Sequence, residues 1–225
     1  QLSDKGRREA NAKAFDLIND AIAQGRNLTD AELKEVAKFS GDGGIGASLN
    51  QYFTRPDIAQ AMWDVLRHHG AAVNGRVLEP ACGSGVFIET APEGAQVTGV
   101  EIDPRVALVA EALHGGQHQI HNQAFEEFSV ANLDTGDDRG FDVVISNAPF
   151  GARTGGVTAV HKPHQGSADR YFIDTAIDHA KEHGFIAMIV HTSVMQNQGP
   201  AGADFRRRIL ERADLVHAVR LPNTA

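Results

Sequence analysis

The sequence predicts an α/β fold, a doubly wound, Rossmann-like parallel sheet preceded by a small helical lobe. Three observations carry this. From residue 55 onward short apolar runs alternate with amphipathic stretches, the pattern of strands joined by crossover helices. The first such run leads into a glycine-rich turn, Gly83-Ser-Gly85. The second ends on an acidic residue followed by Asp103-Pro104, a helix cap and a first helical residue.

Residues 3–24 read as a helix with Leu17, Ile18, Ala21 and Ile22 on one face. Thr29 caps a second helix over 30–39 that carries Leu33, Val36 and Ala37. The glycine-dense stretch 40–46 ends it, so residues 1–50 form the expected helical lobe and 51–225 the main domain. Pro56 suits the first turn of a helix over 57–67, with Ile58, Met62, Val65 and Leu66 inward. Strands are expected at 76–79, 96–102, 118–121, 141–146, 185–191 and 215–221. Helices are expected at 85–91, 104–113, 168–183 and 201–213. In the last of these Arg206, Arg207 and Arg208 form the wet side and Phe205, Ile209 and Leu210 the inward one. Residues 151–167 form one long irregular loop. In sheets of this kind ligands sit beyond the carboxyl ends of the strands.

Composition narrows the function classes. No apolar run approaches the ~20 residues of a membrane span, and no signal peptide opens the chain. The single cysteine excludes an internal disulfide framework and suits a reducing cytoplasm. Gln1 is not an initiator methionine, which reads as a piece of a longer protein. The formal charge is −8, but it is uneven: 12 Lys/Arg stand against 22 Asp/Glu over residues 1–150, and 8 against 6 over 151–212. Contact with a polyanion is therefore expected in the second half.

The turn after the first strand, Leu78-Glu-Pro-Ala-Cys-Gly-Ser-Gly-Val-Phe-Ile88, has no third glycine at dinucleotide spacing and no Gly-Lys-Ser/Thr for a triphosphate. Gly83 and Gly85 permit a tight turn and close approach of backbone to a ligand. Glu79, with no phosphate chemistry beside it, suits a cofactor with a cationic amino-acid end, such as S-adenosylmethionine. Glu101, at the tip of the second strand, is placed to bond ribose hydroxyls, and Ile102 to pack on an adenine ring. Asp103 reads as a helix cap. Cys82 reads as a small buried hydrophobe, and no nucleophilic cysteine stands where cytosine-C5 methylation would need one.

Three blocks carry a resemblance: Gln51-Tyr-Phe-Thr-Arg-Pro56, Val77–Ile88 with Val100–Pro104, and Ser146-Asn-Ala-Pro-Phe-Gly151. Together they resemble the adenine-N6 DNA methyltransferase family. Gly184–Gln196 and Ala218–Thr224 resemble, more narrowly, large bacterial plasmid or phage proteins that join a methylase to a helicase. The resemblance implies a class I methyltransferase sheet and S-adenosylmethionine as cofactor. It places Phe53, Thr54 and Pro56 at the methionine end, Glu79, Ala81, Gly83 and Gly85 in the cradle, and Glu101 and Ile102 at the nucleoside. Ala124 stands where many relatives carry an Asp that reads the cofactor's adenine, so a backbone amide at Ala124 or Phe125 is the expected substitute. A sheet of this class ends with a further strand beside the fifth, so that strand and any target-recognition or helicase region are expected beyond this chain. The implied partner is DNA with an extruded adenine, in a bacterial cytoplasm, without a membrane.

The loop Asn147-Ala-Pro-Phe150 is the expected catalytic element. The exocyclic amine of adenine is a poor nucleophile because its lone pair is delocalised into the ring. Two acceptors that bind both amino hydrogens favour a pyramidal nitrogen and aim its lone pair at the methyl group. Asn147 Oδ1 and the carbonyl of Ala148 are the expected pair, with Asn147 also facing the cofactor. Phe150 stacks on the base, returning part of the few kcal/mol that flipping costs. The family usually has Asn-Pro-Pro; Ala148 keeps the carbonyl, Pro149 keeps its neighbour extended, and losing one proline costs about 0.4–1 kcal/mol. Arg153, Lys162 and Arg170 are candidate phosphate contacts. His161, His164, His179 and His183 lack partners for a metal site, and none is expected. Two rivals stand beside this reading: a glutamine N5 methyltransferase acting on protein, whose side-chain amide presents a similar NH2 group, and a cofactor-binding or DNA-docking module with weak catalysis.

Overall fold

The computed structural model describes residues 3–40, 54–132, 140–150 and 167–221. Two helices open it, α1 (Asp4–Ala23) and α2 (Asp30–Val36). Thr29 and Glu32 close a reciprocal capping box at the start of α2, each side chain accepting from the other's backbone amide. Asn11, Ala14, Ile18 and Ala21 line the buried stripe of α1. Ile22 lies one helical step beyond that stripe and is exposed, contrary to the sequence pattern. The second helix also stops at Val36, and Phe39 packs from the loop that follows.

The remaining elements are α3 (Pro56–His68), β1 (Arg76–Glu79), α4 (Val86–Glu89), β2 (Gln96–Glu101), α5 (Pro104–His114), β3 (Gln119–Asn122), α6 (Phe125–Asn132), β4 (Phe141–Asn147), α7 (Ala168–His179), β5 (Ala180–Ile189), α8 (Ser193–Gln196) and α9 (Pro200–Leu210). The five strands pair in parallel in the order β3-β2-β1-β4-β5. The chain therefore winds outward from β1 through β2 to β3, then returns to place β4 on β1's other side. That reversal between β1 and β4 is the switch point where such sheets open a crevice.

Alternation along the strands sorts the core into two layers. Val77, Val97, Val143 and Ile145 face Trp63, Leu66, Phe87 and Ala110 of the helices α3, α4 and α5. Leu78, Val100 and Val144 face Phe125, Phe128, Tyr171 and Phe172 of α6 and α7. The Trp63 indole N–H donates to the Phe87 carbonyl at 3.2 Å, so this buried ring brings its polar atom with a partner. The N-terminal helices pack outside α5, where Ala14, Ile18, Val36 and Phe39 meet Val106 and Val109. The Arg105 guanidinium covers the Phe15 ring at 4.3 Å.

Four further expectations need correction. Helix α7 ends at His179, and β5 begins at Ala180 instead of residue 185. The register jumps from Phe141↔Ala180 to Val143↔Phe185, so residues 181–184 form an irregular excursion with His183 at φ 64°. A Cβ on Gly184 would stand 2.9 Å from the Lys181 carbonyl oxygen, which explains the glycine. Helices α6 and α8 were not anticipated. Residues 215–221 form no strand: Leu215, Val216, Val219 and Leu221 are exposed, and no described strand pairs with the segment, whose His217 ring lies 5.5 Å from that of His69. An alternating apolar segment becomes a strand only where a neighbouring edge supplies its ladder. Leu210, expected inward on α9, is exposed as well. No helix among the described residues is long and apolar enough to cross a membrane.

Candidate active site

Glu79, Glu101 and Asn147 stand at the carboxyl ends of the three central strands. Counting along each strand from Val77, Val97 and Val143 puts all three on the α3–α4 side of the sheet. Glu79 is one residue past the paired Leu78 and Asn147 three past its partner Val144. Asn147 therefore stands about 6–7 Å further along the strand direction.

Glu79 is 1% exposed, and its Oε2 has no hydrogen-bond partner. Burial, with the negative charge of Glu101 beside it, pushes its carboxyl well above the usual carboxylate range. A buried carboxylate without a donor is costly unless a cation or donor arrives. The orphaned oxygen thus fits a ligand that brings an ammonium group. Glu101 is more fully served: its Oε2 accepts from the Gly83 amide at 2.9 Å and its Oε1 from the Asp103 amide at 2.8 Å. Burial raises its pKa while those two amides pull it back. The same carboxylate pins the glycine turn to the end of β2, and each oxygen retains a second lone-pair direction for a ribose hydroxyl.

The turn itself is built on left-handed backbone at Gly83 (φ 56°) and Gly85 (φ 93°). Gly85 differs from expectation in what approaches it. A Cβ there would stand 2.5 Å from Cδ2 of His114, whose Nε2 lies 3.1 Å from the Ser84 carbonyl. The close approach recorded at Gly85 is therefore to an imidazole of α5. Burial lowers the His114 pKa, against the pull of the Ser84 carbonyl. His114 supports the glycine turn and escaped sequence reasoning; its only signal was a histidine at the end of the helix after strand two.

Past the tip of β2 Ile102 is 54% exposed, an apolar side chain standing free beside Glu101. Asp103 caps α5, accepting from the Arg105 amide at 2.9 Å. Asn122 Nδ2 donates to the Glu101 carbonyl at 2.9 Å and joins the tips of β2 and β3. The Phe125 ring belongs to the core, 5.0 Å from that of Phe172, so what residue 125 offers a ligand is backbone at the start of α6. Ala124 is buried and its carbonyl accepts from the Phe128 amide. Ala81 and Thr54 are half-buried, and Pro56 opens α3 as its exposed first residue. Phe53 lies outside the described residues.

Asn147 closes β4 opposite Ile189 of β5. The Ala148 N–H donates to the Ile189 carbonyl at 3.1 Å, and the residue is buried against the second core layer. A proline at 148 could not make this bond, since it has no N–H. The alanine thus exchanges one restraint on the loop for another. Pro149 and Phe150 are half-buried. Arg170 packs its guanidinium over Phe205, 5.4 Å from the ring centroid, and reaches the Ala201 carbonyl at 3.5 Å, which ties it to α9. Arg153, Lys162, His161 and His164 lie outside the described residues. His179 is buried and bonded to Ser129 Oγ at 2.9 Å, while His183 is exposed, so the two do not share a site.

The family model N-6 DNA Methylase matches residues 38–224, which leaves α1 and α2 outside it. The chain is 36% identical over 97% of its length to "Defense against restriction protein B" of Escherichia phage P1, of which it spans 9%. It is 28% identical over 72% of its length to the type II methyltransferase M.CvrRI of Paramecium bursaria Chlorella virus XZ-6E, of which it spans 39%. Among solved structures, the methyltransferase subunit of a type I restriction-modification system from Streptococcus thermophilus aligns with TM-score 0.61 at 20% identity, covering 81% of this chain and 42% of that one. A class I S-adenosylmethionine-dependent methyltransferase from Listeria monocytogenes aligns with TM-score 0.62 at 15% identity, covering 90% and 79%. At those identities the structural likeness establishes the fold, and the family match establishes descent: this chain belongs to the N-6 DNA methylase family.

Proposed function

We propose that this chain transfers a methyl group from S-adenosylmethionine to the N6 amino group of adenine in DNA. The observation that carries the reading is the shared face of Glu79, Glu101 and Asn147 at the switch point, with one buried carboxylate oxygen lacking a donor. Glu79 holds the amino-acid end by meeting an ammonium group with its free oxygen. Glu101 bonds ribose hydroxyls, and Ile102 lies against the adenine ring. The bound cofactor supplies an electrophilic methyl on a positively charged sulfur.

Asn147 Oδ1 and the Ala148 carbonyl accept the two hydrogens of the target NH2. This holds the nitrogen pyramidal with its lone pair directed at the methyl. No base is needed before transfer, because the nitrogen loses its extra proton only after it has become cationic. Phe150 stacks on the extruded base. The Ala148–Ile189 bond holds the 147–148 peptide against β5, where the family it resembles usually has a proline. Arg153 and Lys162 contact phosphate, and Arg170 does so from the start of α7, where it packs against α9. Residues 1–50 form the N-terminal lobe, whose helices α1 and α2 buttress α5, and 51–225 the transferase domain; a target-recognition or helicase region is the expected partner, within a bacterial cytoplasm.

The test is transfer of labelled methyl to DNA and to protein offered together, followed by digestion to nucleosides. The reading expects label in N6-methyladenine. Label in glutamine supports the protein-methylating alternative. A second reading, a cofactor-binding module within a defence-against-restriction protein, is favoured by the 36% identity to the phage P1 protein; tight cofactor binding with no transfer to either acceptor supports it.

A further inference from the structure

Asp169 is fully buried, 0% exposed, yet it is a carboxylate that the chemistry above does not use. It is the second residue of α7, where the helix's first-turn amides and dipole favour negative charge. Its Oδ1 accepts from the Ser167 hydroxyl and from the Arg170 amide. Its Oδ2 accepts from the His191 amide at 3.2 Å, across 22 residues of sequence.

His191 follows Ile189 by two residues, and the Ile189 carbonyl receives the Ala148 N–H. The end of β5 is therefore gripped by Asp169 on one side and carries the Asn147–Phe150 loop on the other. Among the described residues β5 is the edge of the sheet, with a ladder only to β4. Strand ends held on one side open readily. The buried carboxylate adds a hydrogen bond just beyond this strand end.

We propose that Asp169 is a positioning residue: acting through His191 and Ile189, it sets the height of the Asn147–Ala148 backbone against the target nitrogen. The kinetic consequence rests on the methyl-transfer reading; the structural one does not. Asp169→Asn keeps the size but turns one acceptor into a donor, so either the Ser167 and Arg170 donors or the His191 amide face an NH2 group.

The experiment compares Asp169→Asn with Asp174→Asn, a buried carboxylate of the same helix bonded instead to Arg212. Asp169→Asn is expected to lower kcat about ten- to a hundredfold, the cost of a displaced acceptor, with cofactor KM changed less than about twofold. Amide hydrogen exchange is expected to quicken in the peptides spanning 145–150 and 187–192. Asp174→Asn is expected to lower Tm while leaving both readouts unchanged. Unaltered exchange in those peptides for Asp169→Asn, or an equal loss of kcat in the two variants, overturns the proposal. If the wild type transfers no methyl group, the methyl-transfer reading fails by itself, and the exchange result still decides the positioning role.

Discussion

Replacing Glu79 by Gln isolates the consequence of burying a carboxyl with an orphaned oxygen. Burial holds the proton on Glu79 above the pH at which the unfolded chain releases it. Between those two values the native state binds one more proton than the unfolded state, so stability falls as pH rises. For one proton the slope reaches about 1.4 kcal/mol per pH unit. A protein of this length shifts about 2–4 °C per kcal/mol, which makes the slope about 3–6 °C per pH unit. Glutamine has no proton to lose, so its melting curve should lack this component, and titrations of groups not coupled to Glu79, including that of His114, cancel in the difference. The assay is calorimetric Tm of both proteins without ligand, from about pH 5 to about pH 8. Parallel Tm–pH lines for wild type and Glu79→Gln refute the reasoning. The linked experiment is cofactor titration in two buffers of different ionisation heat. An ammonium group against Glu79 should release a proton on binding to the wild type and none on binding to Glu79→Gln.

Two further outcomes follow from the same geometry. Ala148→Pro removes the N–H that bonds the Ile189 carbonyl, and a proline placed where an N–H was hydrogen-bonded destabilises by more than the about 0.4–1 kcal/mol its ring restriction returns; kcat should fall about ten- to a hundredfold, as for Asp169→Asn, and transfer at the wild-type rate shows that the bond to β5 does not set the loop. Gly85→Ala forces a left-handed residue, costing about 1–2 kcal/mol, and drives a methyl into His114. The denaturant midpoint should fall, and adding His114→Ala should recover only the steric part; a silent Gly85→Ala contradicts the account of the turn.

The strands at 76–79 and 96–101 were legible because short β-branched and apolar runs end on an acidic residue before a glycine turn and an Asp-Pro cap. The Thr29–Glu32 box was equally plain, since its chemistry is local. What escaped depended on partners distant in sequence. Ala180 joins the sheet only because Phe141 lies opposite, while the polar residues 181–183 hide the strand behind a kink. Helix α6 shows only Phe125 and Phe128 at helical spacing, too brief a pattern to register. In the site, Glu79, Glu101 and Asn147 were legible from their places at strand ends. The bond from Ala148 to Ile189 was not, because sequence records only the missing proline and not the carbonyl waiting for an N–H. Asp169 was hidden for a related reason: an acid in a helix's first turn has a sufficient local explanation, and the His191 amide it also holds lies a strand away.

The measurement closest to the central claim is single-turnover methyl transfer to adenine-containing DNA by Asn147→Ala, with cofactor affinity determined on the same protein. Removing one placed acceptor should slow transfer about a hundred- to a thousandfold while cofactor binding stays within about threefold of wild type. Transfer at the wild-type rate by Asn147→Ala contradicts the account, because the amide oxygen would then have no part in presenting the amine.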